Sequence, residues 1–312
     1  MNYKINNDPI ILIGTTSFSS ISPLPYEVLD KKTDFNIIKA NKRKFNLEEL
    51  SEILPKCVGV IAGTELYDKS ILSIANNLKV ISRIGVGLDN VDLDYAANKK
   101  ILVKITSTDL SASVAELTVS MILALYKNLE KNMINVRNRS FKKVPGKMLS
   151  DKIVGIVGLG RIGKATLSLL NGFNCKFLAH DKIYDEEFIS TYGIEKSSLE
   201  DIFIKSDIIC FHLSYTPELN HLISYDLLKK CSKSPIIINT SRGQIIDEKA
   251  LIKALDLKLL SGIALDVYEK EPYDGPLCDR DDVLLTPHIA SFTREVREKI
   301  EIEAVNNLLK NL

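Results

Sequence analysis

Apolar residues in this chain fall into short, near-continuous runs separated by polar stretches of helical spacing. PIILIG (9–14), FNIIKA (35–40), VGVIAG (58–63), KVISRI (79–84) and ILVKI (101–105) are such runs. Their continuity predicts strands covered on both faces. NLEELSEIL (46–54), DKSILSIA (68–75) and DLDYAAN (92–98) carry the helical period between them. The alternation is that of a parallel α/β unit. A second series follows: KIVGIVG (152–158), KFLAHD (176–181), DIICFHL (207–213), PIIINT (235–240), GIALDV (262–267) and VLLT (283–286), with helices such as DEKALIKALDL (247–257) between. The C-terminal segment TREVREKIEIEAVNNLLKNL reads as one amphipathic helix. The predicted fold class is therefore α/β, with two doubly wound parallel-sheet domains.

Residues 109–138 link the two series and contain neither proline nor glycine. They predict one long helix. Its apolar side is wide, with Val114, Leu117, Val119, Met121, Ile122, Leu123 and Leu125. A helix apolar nearly all round needs cover on more than one side. It reads as a connector partly buried against a second subunit, which makes a homodimer the expected assembly.

Composition narrows the class. The 312 residues suffice for two domains, and the hydrophobic share of 45% suffices for their cores. A formal net charge of +1 supplies no drive toward nucleic acid or an anionic membrane. No apolar run approaches the ~18 residues of a membrane span. The lead MNYKINN before PIILIG lacks the apolar core of a signal peptide. The five cysteines form no C-x-x-C pair, and Cys175 and Cys210 fall in apolar strand patterns as buried thiols. These features together predict a reduced, cytoplasmic protein without a metal site.

KIVGIVGLGRIGKA (152–165) carries the clearest chemical signal. Gly158-Leu159-Gly160-Arg161-Ile162-Gly163 is a G-x-G-x-x-G turn between a strand and a helix. The first glycine permits the turn, the second admits a pyrophosphate to the backbone, and the third lets helix and strand pack closely. The helix N-terminus offers unpaired N–H groups and a partial positive charge. Asp181 ends the next strand, where a carboxylate accepts from a ribose 2′-hydroxyl and repels a 2′-phosphate. The pattern predicts NAD, held by Gly158, Gly160, Ile162, Gly163 and Asp181. Arg161 either touches the pyrophosphate or is simply solvated.

Three later segments each place a polar or charged residue at a strand end: NTSRGQIIDEKAL (239–251), GIALDVYEKEP (262–272) and TPHIASFT (286–293). With GLGRIG, SRIGVGLDNVDL (82–93), SVAELT (113–118) and HLSYTPELNHLI (212–223), they resemble the D-isomer-specific 2-hydroxyacid dehydrogenases, in particular the phosphoglycerate dehydrogenase-like branch. The resemblance runs from about Val58 to the C-terminus. It implies a cofactor domain inserted into a substrate domain, with residues 1–106 and 287–312 forming the latter and 107–286 the NAD-binding domain. It implies a small 2-hydroxy or 2-keto acid as substrate, bound in a cleft between the domains.

Roles follow from the matching positions. Arg242 matches the arginine that grips the substrate carboxylate and carbonyl, a task suited to a planar, always-charged fork of donors. His288 matches the general acid–base, which gives a proton to the carbonyl oxygen in reduction and takes it back in oxidation. Glu271, directly before Pro272, matches the carboxylate that orients that histidine. Arg83, Gly85, Val86 and Gly87 match the substrate-binding loop, whose backbone N–H groups hold the carboxylate. His212, Thr240 and Asp266 match positions around the cofactor, Asp266 beside the nicotinamide carboxamide. Taken singly, Arg242 also reads as a surface ion-pair partner, Glu271 as a solvated charge, and His288 as a histidine at a strand end.

The sequence departs from the family pattern in places. Ile105-Thr106-Ser107 stands where the family often has Asn-Thr-Pro, and Gln244 replaces the second glycine of R-G-G. The loop VIAGTE carries Ile61 near the usual basic residue of phosphoglycerate dehydrogenases, and Glu65, which would repel a phosphate; Arg83 remains as a phosphate ligand. A reading of another class, an NAD-sensing corepressor-like protein, rests on fold analogy alone.

Overall fold

The computed structural model describes residues 8–41, 43 and 45–312, so the polar lead 1–7 lies outside the described residues. The chain divides into two compact units, Met1–Asp109 with Thr293–Leu312, and Leu110–Phe292. The second is inserted into the first.

The first unit is a five-stranded parallel sheet: β1 (Ile10–Ile13), β2 (Asn36–Lys39), β3 (Cys57–Ala62), β4 (Val80–Arg83) and β5 (Leu102–Lys104), in the order β2-β1-β3-β4-β5. β1, β3 and β4 are buried throughout, as their continuous apolar character predicts. β2 and β5 are not, because each is an edge strand with only one neighbour. Helices Leu47–Ile53, Lys69–Ile74 and Leu93–Asn98 begin at side-chain caps from Asn46, Asp68 and Asp92. These oxygens take up N–H groups that a helix start leaves without partners. A further helix, Leu24–Lys31, was not legible beforehand. Pro23 stands at its N-cap and Pro25 in its first turn, where a missing N–H costs nothing.

The C-terminal helix Arg294–Lys310 packs on β3 and β4. Ser82 Oγ donates to Ala304 O at 2.7 Å. Gly59 lies beneath Leu308, and a Cβ there would come within 2.9 Å of its Cδ1. The helix also buries Arg297 and Glu301, which pair at 2.7 Å.

The second unit holds seven parallel strands: β6 (Ile153–Val157), β7 (Lys176–His180), β8 (Glu195–Lys196), β9 (Ile208–Phe211), β10 (Ile236–Asn239), β11 (Gly262–Leu265) and β12 (Val283–Leu285). Their order is β12-β11-β10-β9-β6-β7-β8. Direction reverses between β6 and β9, so the loop after β6 sits at a topological switch point. Apolar residues supply both faces: Val157, Ile209, Phe211 and Ile237 on one, Ile156, Ile208, Cys210 and Ile238 on the other. Cys175 lies one residue before β7 and is only half-buried, not a core thiol, since the strand begins at Lys176.

The segment 109–138 is not one helix. It forms Ser111–Tyr126 and Leu129–Arg137, broken at Asn128, whose φ of 48° is left-handed. Asparagine tolerates that conformation. Returning chain fixes the break: Asn128 Nδ2 donates to Pro145 O at 2.7 Å, and Lys147 N to Tyr126 O at 2.6 Å. The apolar side of Ser111–Tyr126 is covered from within its own unit, by helix Arg161–Asn171 and by β10 and β11. Exposed apolar surface lies beyond the break instead, at Leu129, Met133, Ile134 and Val136.

Candidate active site

The glycine turn lies where β6 hands over to helix Arg161–Asn171. Gly158 has φ 97°, and a Cβ there would meet His212 O at 2.7 Å. A Cβ on Gly163 would overlap Gly158 O, so only glycine lets helix and strand approach this closely. A Cβ on Gly160 would meet nothing within 4 Å, so that side of the turn is open. No side chain caps the helix at Gly160, which leaves its first amides for a ligand. Arg161 is exposed and Ile162 half-buried.

Asp181 follows β7 and points back at the turn. Its Oδ2 accepts from Leu159 N at 2.5 Å, and its Oδ1 from Lys182 N at 2.6 Å. An open turn, an uncapped helix start and a carboxylate beside them fit a dinucleotide. His212, after β9, donates its N–H to Val157 O at 2.8 Å. Both its ring nitrogens are shielded from solvent and without partners, and burial pushes the imidazole down to about 4.

Arg242, Asp266, Glu271 and His288 come together at the carboxyl ends of β10, β11 and β12. Asn239, last in β10, shapes the arginine turn: its Oδ1 accepts from Ser241 N at 3.0 Å and its Nδ2 donates to Arg242 O at 2.9 Å. Arg242 Nη1 donates to Ser241 O at 2.8 Å. Gly243 packs on the Tyr268 carbonyl, which a Cβ would overlap. Thr240 is buried, its hydroxyl 3.0 Å from that of Thr118.

Asp266 is fully buried. It accepts from Thr286 Oγ1 at 2.6 Å, Ile289 N at 2.7 Å and Ala290 N at 2.8 Å. Burial pushes its carboxyl up, against these bonds. The structure thus makes Asp266 the anchor of the turn that carries His288, whose own φ is 55°. A left-handed histidine is strained and persists where its surroundings over-determine it. His288 Nδ1 lies 2.8 Å from Glu271 Oε2, and Tyr268 N donates to Glu271 Oε1 at 3.3 Å. A carboxylate on one ring nitrogen fixes the orientation and tautomer of an imidazole.

A clasp behind these residues was not legible in the sequence. Glu248 N donates to Glu269 Oε1 and Glu269 N to Glu248 Oε1, both at 2.9 Å. His221 Nε2 lies 3.2 Å from Glu269 Oε1, and His221 N donates to Gln244 O at 2.8 Å. The clasp ties the Arg242 turn to the loop bearing Glu271. Burial and the Glu269 charge push the Glu248 carboxyl up. No sequence signal marked these partners, which stand far apart along the chain.

In the first unit, Gly85 follows β4 with φ 127°. Its N–H donates to Thr106 Oγ1 at 3.1 Å, while the amides of Val86 and Gly87 donate to no acceptor among the described residues. Arg83 is 7% exposed; its Nη1 donates to Ile84 O at 2.7 Å and its Nε to Asn90 Oδ1 at 3.3 Å. Ser107 and Thr108 are held by the Glu303 carboxylate through N–H and hydroxyl groups. Ile61 is fully buried within β3.

Residues 119–290 match the family described as D-isomer specific 2-hydroxyacid dehydrogenase, NAD binding domain. The chain belongs to that family. NAD is the cofactor of its second unit. A glyoxylate reductase of Thermofilum pendens is 38% identical over 256 residues, covering 79% of this chain and 75% of the relative. A D-3-phosphoglycerate dehydrogenase of Sus scrofa is 34% identical over 295 residues, covering 92% of this chain and 55% of the relative. The chain thus spans about half the length of that dehydrogenase. A D-lactate dehydrogenase from Aquifex aeolicus, solved with NAD and lactic acid, superposes with a TM-score of 0.83 at 28% identity, covering 96% of this chain and 93% of that one. Among the described residues no helix is long and apolar enough to cross a membrane, and no acid, histidine or cysteine cluster is arranged to hold a metal.

Proposed function

We propose that this protein is an NAD-dependent oxidoreductase that interconverts a D-2-hydroxy acid and its 2-keto acid, phosphoglycerate dehydrogenase-like in the branch its sequence resembles rather than in a need for a phosphorylated substrate. The His288–Glu271 pair carries the reading, with Nδ1 and Oε2 at 2.8 Å. Bound NAD supplies the hydride acceptor and NADH the donor. Arg242 grips the substrate carboxylate and carbonyl oxygen through its fork of donors. His288 gives a proton from Nε2 to the carbonyl oxygen in reduction and recovers it in oxidation. Glu271 holds the Nδ1 side and stabilises the imidazolium. The amides of Val86 and Gly87, with Arg83 and Gly85 shaping their loop, hold the substrate carboxylate. Gly158, Gly160, Arg161, Ile162 and Gly163 take the pyrophosphate, Asp181 the ribose, and His212, Thr240 and Asp266 border the nicotinamide end.

A glyoxylate or hydroxypyruvate reductase is the alternative within the class, favoured by the 38% identity to the relative of that name. NADH oxidation with hydroxypyruvate, glyoxylate, pyruvate, 2-oxoglutarate and 3-phosphohydroxypyruvate tests the class. Tight NADH binding with no turnover of any keto acid would replace it with the NAD-sensing reading.

The partner we infer is a second copy of the chain. Helix Leu129–Arg137 exposes Leu129, Met133, Ile134 and Val136, and beside it Phe141 is 86% and Met148 71% exposed. Apolar surface of this kind marks an interaction site. Sedimentation giving only a monomer at micromolar concentration would overturn the homodimer. We also assign the protein to the cytoplasm, a reading supported by five unpaired cysteines and tested by cell fractionation.

A further inference from the structure

The first sheet has its own topological switch point, between β1 and β3. In open α/β sheets the crevice beyond the strand ends at such a point is where ligands bind. Gly14 and Gly63 line it here, and Glu65 lies over both. A Cβ on Gly14 would meet Glu65 Oε2 at 3.2 Å; one on Gly63 would meet Glu65 Oε1 at 3.0 Å. Glu65 is half-buried and accepts from Gly63 N at 2.6 Å. It forms no ion pair among the described residues.

The crevice adjoins the loop assigned above to the substrate carboxylate. Ile84 N donates to Ala62 O at 2.8 Å, and Asn90 Nδ2 donates to Gly63 O at 3.1 Å and to Glu65 O at 2.5 Å. These bonds tie the loop that carries Val86 and Gly87 to the strand end that carries Glu65. The cations near these strand ends are engaged elsewhere. Arg83 braces its own loop through Ile84 O and Asn90 Oδ1. Arg297 pairs with Glu301 and donates to Ser17 Oγ at 3.0 Å. Lys39 Nζ donates to Phe18 O.

We propose that Glu65 determines specificity: the enzyme takes 2-keto acids whose distal substituent is small and uncharged, and rejects those bearing a second anion such as a phosphate. The inference rests on the reading that Val86 and Gly87 hold the carboxylate. A like charge a few ångströms from a half-buried carboxylate weakens binding by at least about tenfold. Rejection built on repulsion is an ordinary route to specificity. A distal hydroxyl, by contrast, can donate to Glu65 Oε1.

The matched pair hydroxypyruvate and 3-phosphohydroxypyruvate tests this in the intact enzyme. Wild type is expected to favour hydroxypyruvate in kcat/KM by about a hundredfold or more, and Glu65→Gln to narrow that ratio at least tenfold. Glutamine keeps an oxygen for Gly63 N, so the turn survives; Glu65→Lys should narrow the ratio further. Preference of wild type for the phosphorylated acid, or a ratio unmoved in both variants, overturns the proposal. Absence of turnover with every keto acid sinks the oxidoreductase reading instead. Thermal-shift titration with the same two acids in the presence of NAD then decides this one: selective stabilisation by hydroxypyruvate, lost in Glu65→Gln, supports it, and equal stabilisation by both acids ends it.

Discussion

His288 Nδ1 lies 2.8 Å from one oxygen of Glu271 and 3.1 Å from the other. The ring edge facing Glu271 is thereby committed, and Nε2 is the nitrogen left for chemistry. If Nε2 moves the proton, His288→Ala should lower kcat by about 10²–10⁴-fold, the usual worth of a positioned acid–base. NADH affinity, read by fluorescence titration, should change little. Glu271→Gln keeps the shape but not the charge and should fall between wild type and His288→Ala. Equal activity in all three proteins would remove the pair from the mechanism.

Asp181 accepts from Leu159 N inside the glycine turn, which fixes its carboxylate beside the cofactor loop. Replacing it by alanine removes both a ribose acceptor and the charge that repels a 2′-phosphate. The preference for NADH over NADPH in kcat/KM should shrink by about tenfold or more, equivalent to ~1.4 kcal/mol. An unchanged ratio would show that discrimination resides elsewhere.

His212 is neutral when folded, with burial holding its imidazole down to about 4 against an ordinary 6.5. The unfolded chain therefore binds a proton at a pH where the folded chain does not. Its contribution to stability is complete above pH 6.5 and is lost as pH falls from there toward about 4. Within that window the loss is at most ~1.4 kcal/mol per pH unit. Urea unfolding of wild type and His212→Phe at pH 7 and pH 5 checks this. The wild type should lose more stability between the two, and equal losses would refute it.

Gly243 has no room for a side chain, because a Cβ would overlap the Tyr268 carbonyl. Gly243→Ala must push the Arg242 turn away from that backbone, at a cost of about 1–3 kcal/mol. Thermal unfolding should show a lower midpoint, and kcat/KM should fall as Arg242 moves. A variant with wild-type stability and activity would mean that the turn adapts freely.

Local patterns carried the strand series, the capped helices and the glycine turn. Each of the apolar runs named in the sequence contains a strand, because buried parallel strands need continuous apolar character and little else. The break at Asn128 was hidden, since nothing within 109–138 marks it. Its cause is hydrogen bonding with chain well downstream, the Asn128 side-chain amide to Pro145 O and Lys147 N to Tyr126 O. The exposure of β5 was hidden for a similar reason: an edge position is a property of sheet order, not of the residues LVK.

By itself the sequence determined two parallel α/β units and a dinucleotide turn, because periodicity and turn residues act over a few positions; the residues assigned to the chemistry came from the resemblance of longer motifs to a family. Tertiary structure alone decided how those residues are held. Asp266 anchors the His288 turn, Glu248 and Glu269 clasp the loops behind Arg242 and Glu271, and Glu65 lies across the ends of β1 and β3. A hydrogen bond depends on distance and direction in space, and two residues widely separated along a chain carry no local mark of meeting.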